Sequence, residues 1–166
     1  GKFYDAKIAY TPQQAMQQFH KISAEWGLPI LVQEFVHGHE ENVCGVGDGE
    51  GKTVGAVPMK KKYVTEKGKA WSGITVDDKK LLEMCHQFTS KTKWQGPFEL
   101  EVMKTEKDEY YLLEINPRFP AWCYLTTGAG QNQVEAVVNL AINGKTEKLG
   151  DYTVGKMFIG HSDDIV

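Results

Sequence analysis

Apolar residues alternate with polar ones in short runs along this 166-residue chain, broken by stretches of helical spacing. Phe3 to Ala9 reads as a strand. Thr11-Pro12-Gln13-Gln14 then marks a helix start, with Thr as N-cap, Pro at the first helical position and Gln three residues after the cap. Ala15, Phe19, Ile22 and Trp26 follow at helical spacing, and Gly27 ends the run. Pro29 to Val36 (PILVQEFV) is apolar enough to predict a strand buried on both faces. After the polar His37 to Glu41, a strand through Val43 and Val46 turns at Asp48-Gly49-Glu50-Gly51 and returns over Thr53 to Lys62. Lys67 to Gly73 has the composition of a mobile loop. Asp77 is placed to cap a helix with Leu81, Leu82, Cys85 and Phe88 on its buried side. Pro97 to Arg118 predicts two alternating strands joined by the polar turn Thr105 to Glu109. Phe119 to Gly130 reads as irregular. Val134, Val137, Val138 and Ala141 mark another helix, ended by Gly144, and a last strand is expected near Thr153 to Ile159. The fold class is α+β, with mainly antiparallel sheets and about three helices.

Composition narrows the function classes. The content is 41% hydrophobic and 25% charged, ordinary for a globular protein, and no apolar run is long enough for a membrane helix. A net charge of -3 argues against general nucleic-acid binding, which leaves a basic footprint. The three cysteines, Cys44, Cys85 and Cys123, show no CxxC spacing, so neither a disulfide frame nor a zinc site is expected. A reducing cytoplasm is the expected compartment. Gly1-Lys2-Phe3-Tyr4 opens directly into a strand without an initiating Met, as in a domain cut from a longer polypeptide whose N-terminal domains would be its partners.

The chemistry concentrates in the second hairpin. With its turn centred on Lys107-Asp108, facing residue numbers sum to 215, so Glu101 lies opposite Glu114 and Glu99 opposite Asn116. All four share one face, because side chains alternate along a strand. Loop parity matters here, since an odd-length loop without a compensating bulge would separate them. Facing carboxylates repel, so a positive group is expected between them. Carboxylate and amide oxygens on a rigid frame suit Mg²⁺, which takes its other ligands from water and substrate phosphates. The hairpin therefore reads as a magnesium–nucleotide platform.

Laid out in this way, the chain resembles the ATP-grasp superfamily, and within it the carbamoyl-phosphate-synthase-like branch. Two blocks and their order carry the likeness: VQEFVHGHEENV (Val32 to Val43), and ELEVMK followed by YLLEINPRF, with a 13-residue step from Glu101 to Glu114. The resemblance implies that residues 1–36 are the remainder of the small lobe, including the hinge strand, and that 37–166 form the larger lobe with the metal-binding hairpin. It implies that Gln33, Glu34, Phe35 and Val36 form the hinge reading the adenine edge, and that Glu40 binds the ribose hydroxyls. Glu101, Glu114 and Asn116 would hold Mg²⁺ (Mn²⁺ as alternative) on ATP, and Arg118 would contact a phosphate or the acyl phosphate. The family's phosphate lysine would be Lys2 or a residue before Gly1, although no glycine-rich run follows Lys2. The implied activity is that of an ATP-dependent ligase which activates a small carboxylate for attack by an amine. The alternatives are a nucleotide- or metal-binding module without turnover, and a fragment that does not bind ATP alone.

Several other residues have simpler roles that compete with chemical ones. In Lys60-Lys61-Lys62, Lys60 and Lys62 share one strand face, and either is a candidate to stabilise the transferring phosphoryl group, with Lys61 pointing away. A lysine triplet is otherwise an exposed strand end. His37 and His39 flank a glycine without a third ligand nearby, which reads as a solvated turn. Cys123 lacks an activating His and reads as a buried thiol. Gly128-Ala129-Gly130 is explained by loop geometry as well as by anion binding. Phe119 to Thr127 is the stretch expected to meet the acceptor substrate.

Overall fold

The computed structural model describes residues 6–64 and 70–160. Lys2, Lys67 and the start of the strand expected from Phe3 lie outside the described residues. The chain divides into two compact units, Gly1–His37 and Gly38–Val166.

In the first unit, helix α1 spans Pro12–Trp26. Its start follows the local sequence: Thr11 Oγ1 accepts from Gln14 N–H, while the Gln14 side chain accepts from Tyr10 N–H at 2.8 Å. These bonds satisfy backbone donors that no helical carbonyl can reach. Residues 29–36 form no strand, which corrects the expected doubly buried hinge strand. Leu31 is 92% and Val32 82% exposed, and no strand among the described residues pairs with this segment. Apolar composition alone does not make a strand when no ladder partner is available.

The second unit is a six-stranded antiparallel sheet in the order β5-β4-β1-β2-β3-β6. Its strands are β1 (His39–Asp48), β2 (Thr53–Val64), β3 (Ala70–Thr75), β4 (Gln95–Lys104), β5 (Tyr110–Asn116) and β6 (Met157–Ile159). Strand β3 occupies part of the segment expected to be a mobile loop. Gly73 permits it: a Cβ there would stand 2.2 Å from Met59 Sδ, so only glycine lets β3 lie this close to β2's side chains.

Helix α2 (Lys79–Thr92) packs on one face of the sheet. Its cap is Asp78, whose carboxylate accepts from Leu81 N–H at 2.9 Å, one residue after the expected Asp77. Leu81 and Cys85 are fully buried with Val43, Phe98, Leu100 and Val102. Each such large side chain contributes roughly 1.5–3 kcal/mol by leaving water. On the other face lie the short α3 (Tyr124–Gly128), inside the stretch expected to be irregular, and α4 (Gln133–Asn143). They cover Cys44 and Met59, and Val46 and Val54, respectively. The described residues thus hold four helices, one more than expected, on a sheet of the expected antiparallel kind. No helix among them is long and apolar enough to cross a membrane.

Candidate functional site

Strand β1 lies between β2 and β4, and β4 between β1 and β5, so a polar patch on one face can draw on four adjacent strands. Asn42 pairs with Glu101, Cys44 with Glu99, Glu101 with Glu114 and Glu99 with Asn116. The hairpin from β4 to β5 closes through five residues, Thr105 to Glu109, an odd number. A one-residue shift between Glu101 and Val102 restores parity, so Glu101 still faces Glu114. Asp108 takes the left-handed conformation, at φ 60, that this turn requires.

The β1–β2 hairpin carries a second bulge, between Val46 and Gly47. It sets Glu41 opposite Lys60, and therefore brings Lys61 to the face of Glu40. Lys61 Nζ bonds Glu40 Oε2 and lies 3.1 Å from Glu101 Oε2, with only 10% of its side chain exposed. Burial alone would lower its pKa; the bond to Glu40 and the charge of Glu101 outweigh this and raise it. Lys61 is therefore charged at neutral pH. The expectation that Lys60 and Lys62 face the acids is corrected: pleat parity gives that place to Lys61.

Glu99, 4% exposed, gathers four donors. Asn42 Nδ2 at 2.8 Å and Trp122 Nε1 at 2.9 Å reach its Oε1, and Asn116 Nδ2 at 3.3 Å and Arg118 Nη1 at 3.4 Å reach its Oε2. Asn116 Nδ2 also donates to Glu101 Oε1 at 3.0 Å, and Arg118 Nη2 donates to Asn116 Oδ1 at 3.0 Å. Glu114 is exposed and makes no hydrogen bond or ion pair among the described residues. Asn42 Oδ1 is buried without a partner. Four carboxylates on this face (Glu40, Glu99, Glu101 and Glu114) thus meet two cations, Lys61 and Arg118, leaving an excess of negative charge.

The structure brings Glu40, Glu101, Asn116 and Arg118 into one bonded network and sets Glu114 opposite Glu101. Gln33, Glu34, Phe35 and Val36 belong to the first unit. Sequence reasoning missed Lys61, Asn42 and Trp122, and it did not single out Glu99 beyond placing it on the face. Its signal was the alternation that already put Glu99 beside Glu101. Among the described residues no three His, Cys, Asp or Glu side chains converge to hold a metal ion. The oxygen set of Glu101, Glu114 and Asn116 still has the hard donor chemistry that suits Mg²⁺, and Glu114 is free to bind. A cavity of about 440 Å³ lies elsewhere, lined by Asp48, Lys52 and His86 among others, and includes none of these residues.

The family described as ATP-grasp in the biosynthetic pathway with Ter operon matches residues 28–156. The chain belongs to this ATP-grasp family. Solved structures share the ATP-grasp chain's fold. The phosphoribosylaminoimidazole carboxylase ATPase subunit from Aquifex aeolicus is 23% identical, with TM-score 0.59 over 74% of this chain and 38% of its own. N5-carboxyaminoimidazole synthetase from Staphylococcus aureus, complexed with ADP, is 14% identical, with TM-score 0.66 over 86% of this chain and 39% of its own. Biotin carboxylase from Campylobacter jejuni, as a beta-gamma-ATP complex, is 15% identical, with TM-score 0.55 over 78% of this chain and 31% of its own. The ATP-grasp chain therefore spans well under half the length of these structures. No curated protein matches it.

Proposed function

We propose that this chain is the nucleotide-binding part of an ATP-dependent carboxylate ligase. A substrate carboxylate oxygen attacks the γ-phosphorus of ATP, the bond to the β–γ bridging oxygen breaks, and ADP leaves. An amine then attacks the acyl carbon of the resulting acyl phosphate; phosphate departs with the bonding electron pair, and the nitrogen loses a proton. Catalysis here is positioning and charge neutralisation, with no covalent enzyme intermediate.

The observation that carries this reading is the facing of Glu101 and Glu114 across the hairpin, with Asn116 bonded to Glu101 and to Arg118. In this assignment Glu101, Glu114 and Asn116 hold Mg²⁺, which when bound neutralises charge on the ATP phosphates. Arg118 and Lys61 supply fixed positive charge to the transferring group. The backbone of Gln33 to Val36 reads the adenine edge and Glu40 takes the ribose hydroxyls. Residues 1–36 and 37–166 are then parts of the small and large lobes. The carbamoyl-phosphate-synthase-like form, with a carbonate- or carbamate-derived acceptor, is the finer assignment that Glu-Ile-Asn-Pro-Arg supports.

A second reading, binding without turnover, is favoured by one observation: Lys61 already engages Glu40 and Glu101, as an internal counter-ion would. Calorimetry with Mg-ATP and phosphate-release assays on the full-length polypeptide separate the two. Binding with carboxylate-dependent phosphate release supports the ligase. Binding without release under any carboxylate and amine supply supports the module, and absence of Mg-ATP binding removes both.

A further inference from the structure

Glu99 divides its two oxygens between different tasks. Oε1 accepts from Asn42 on β1 and from Trp122 in the segment after β5, bonds that tie the sheet together. Oε2 accepts from Asn116 and Arg118, two residues assigned to Mg-ATP. The Asn116 amide consequently directs its Nδ2 at two carboxylates, Glu99 and Glu101, and turns Oδ1 toward Arg118. With Asn116 only 7% exposed, water cannot readily compensate for a reversed amide. Reversal would press an oxygen against two anions and point an N–H₂ group at a guanidinium, leaving buried polar groups unsatisfied.

We propose that Glu99 is a positioning residue: it fixes the sense of the Asn116 amide and anchors Arg118, so that Oδ1 is presented to a cation and the guanidinium to a phosphate. This rests on the assignment of Asn116 and Arg118 to Mg-ATP. A carboxylate is needed for a geometric reason, because only a group that accepts at both ends can serve the Asn42–Trp122 side and the Asn116–Arg118 side together. Orienting partners of this kind govern how well a ligand is held without touching the metal themselves.

Glu99→Gln tests the division. The introduced amide oxygen can keep Asn42 and Trp122, while its N–H₂ faces the Asn116 N–H₂, donor against donor. Mn²⁺ affinity in the presence of ATP, read by electron paramagnetic resonance on the full-length polypeptide, is expected to fall about 10–100-fold. The exchanged pair Glu99→Gln with Asn116→Asp restores an amide, now at position 99, donating to a carboxylate. It sets the other Asp oxygen beside Glu101, where Asn116 Nδ2 had donated, an opposition that a bound cation relieves, so it is expected to recover most of the loss. Trp122→Phe removes only an Oε1 contact and is expected to leave Mn²⁺ affinity within about threefold, far inside the 10–100-fold range.

Wild-type affinity in Glu99→Gln, alongside a loss in Glu114→Gln, would overturn the positioning role and leave the site assignment standing. Wild-type affinity in Glu114→Gln would instead remove the site assignment. A loss in Trp122→Phe equal to that in Glu99→Gln would reduce Glu99 to a general structural role. Should Glu99→Gln fail to fold, the exchanged pair carries the test: a folded protein with unrecovered Mn²⁺ affinity overturns the proposal.

Discussion

Two clusters of charge sit on opposite faces of the same sheet, and adjacent residues of β1 divide between them. Glu40 turns to Lys61 and Glu101, whereas Glu41 turns to the α2 face, where His39 Nε2 lies 2.8 Å away and Lys104 Nζ 3.9 Å. On the α2 face Asp78 caps the helix and bonds Lys104 and Tyr110, and Lys104 and Lys80 hold Asp108. Each acid there is engaged by a cation, a histidine or a helix end. On the other face Glu114 has no partner among the described residues. Orphaned buried atoms do not separate the clusters, since Glu41 Oε2 and Asn42 Oδ1 both lack a partner. What separates them is unanswered carboxylate charge: one cluster completes a helix, and the other leaves Glu114 without a counter-charge among the described residues.

If that contrast is right, the α2-face cluster should govern stability and the other should govern binding. The largest effect on unfolding is expected for Asp78→Ala, which removes a cap and takes from Lys104 and Tyr110 their nearer acceptor, leaving each with Asp108 Oδ1 at 3.3 Å. A loss of about 3 kcal/mol is expected by chemical denaturation, with Mg-ATP affinity retained in the folded fraction. A loss under about 1 kcal/mol would mean that this cluster is not a stability element.

Next comes Lys61→Met, which leaves Glu40 and Glu101 facing each other without a counter-charge. Unfolding free energy should fall by about 1–2 kcal/mol, and added Mg²⁺ should raise the melting temperature more than it does in wild type. Equal Mg²⁺ shifts in both proteins would show that Lys61 and the cation do not compete for the same oxygens.

The pH limbs give a smaller effect, with opposite signs for Asp78 and Lys61. Burial would raise the Asp78 pKa, but bonds from Lys104, Tyr110 and Leu81 N–H hold it below its ordinary 3.8. Its contribution is present above that value and is lost as pH falls through the lowered one, so Asp78→Asn should flatten the acid limb of stability. Lys61 has a pKa raised above 10.5, so its contribution is complete below that value and disappears as pH rises through the higher one. Lys61→Met should flatten the alkaline limb. Urea midpoints measured across pH check both, and exchange of the two limbs between the variants would refute the division.

The sequence made much of this legible where chemistry is local. The Thr11 cap and the antiparallel α+β class follow from short-range pattern, whereas the Glu101–Glu114 facing pair also depends on the shift between Glu101 and Val102 that offsets the odd-length loop. Errors arose where register is set at a distance. Lys60, Lys61 and Lys62 are indistinguishable within their own strand, and the bulge between Val46 and Gly47 decides which of them meets Glu40. A one-residue slip exchanges the faces. The same alternation separates Glu40 from Glu41, which composition reads as a single acidic turn. Segment 29–36 failed for another reason: strand formation depends on a neighbour, and apolar content does not supply one.

The smallest effect on unfolding is expected at Glu114, and it sharpens the contrast most. Glu114 faces Glu101 from the edge strand, exposed and unbonded, so Glu114→Ala removes a like-charge opposition and no stabilising contact. Unfolding free energy should stay within about 0.5 kcal/mol of wild type, on the stabilised side if it moves, because like charges directly opposite each other across a sheet are unfavourable. Mg-ATP binding or turnover by the full-length polypeptide should nevertheless be abolished, while Lys60→Met and Lys62→Met leave both properties close to wild type. A carboxylate whose removal firms the fold and abolishes ligand binding is maintained for the ligand. If Glu114→Ala lowers stability and spares Mg-ATP affinity, Glu114 belongs with Asp78, and the acidic face is another piece of scaffold.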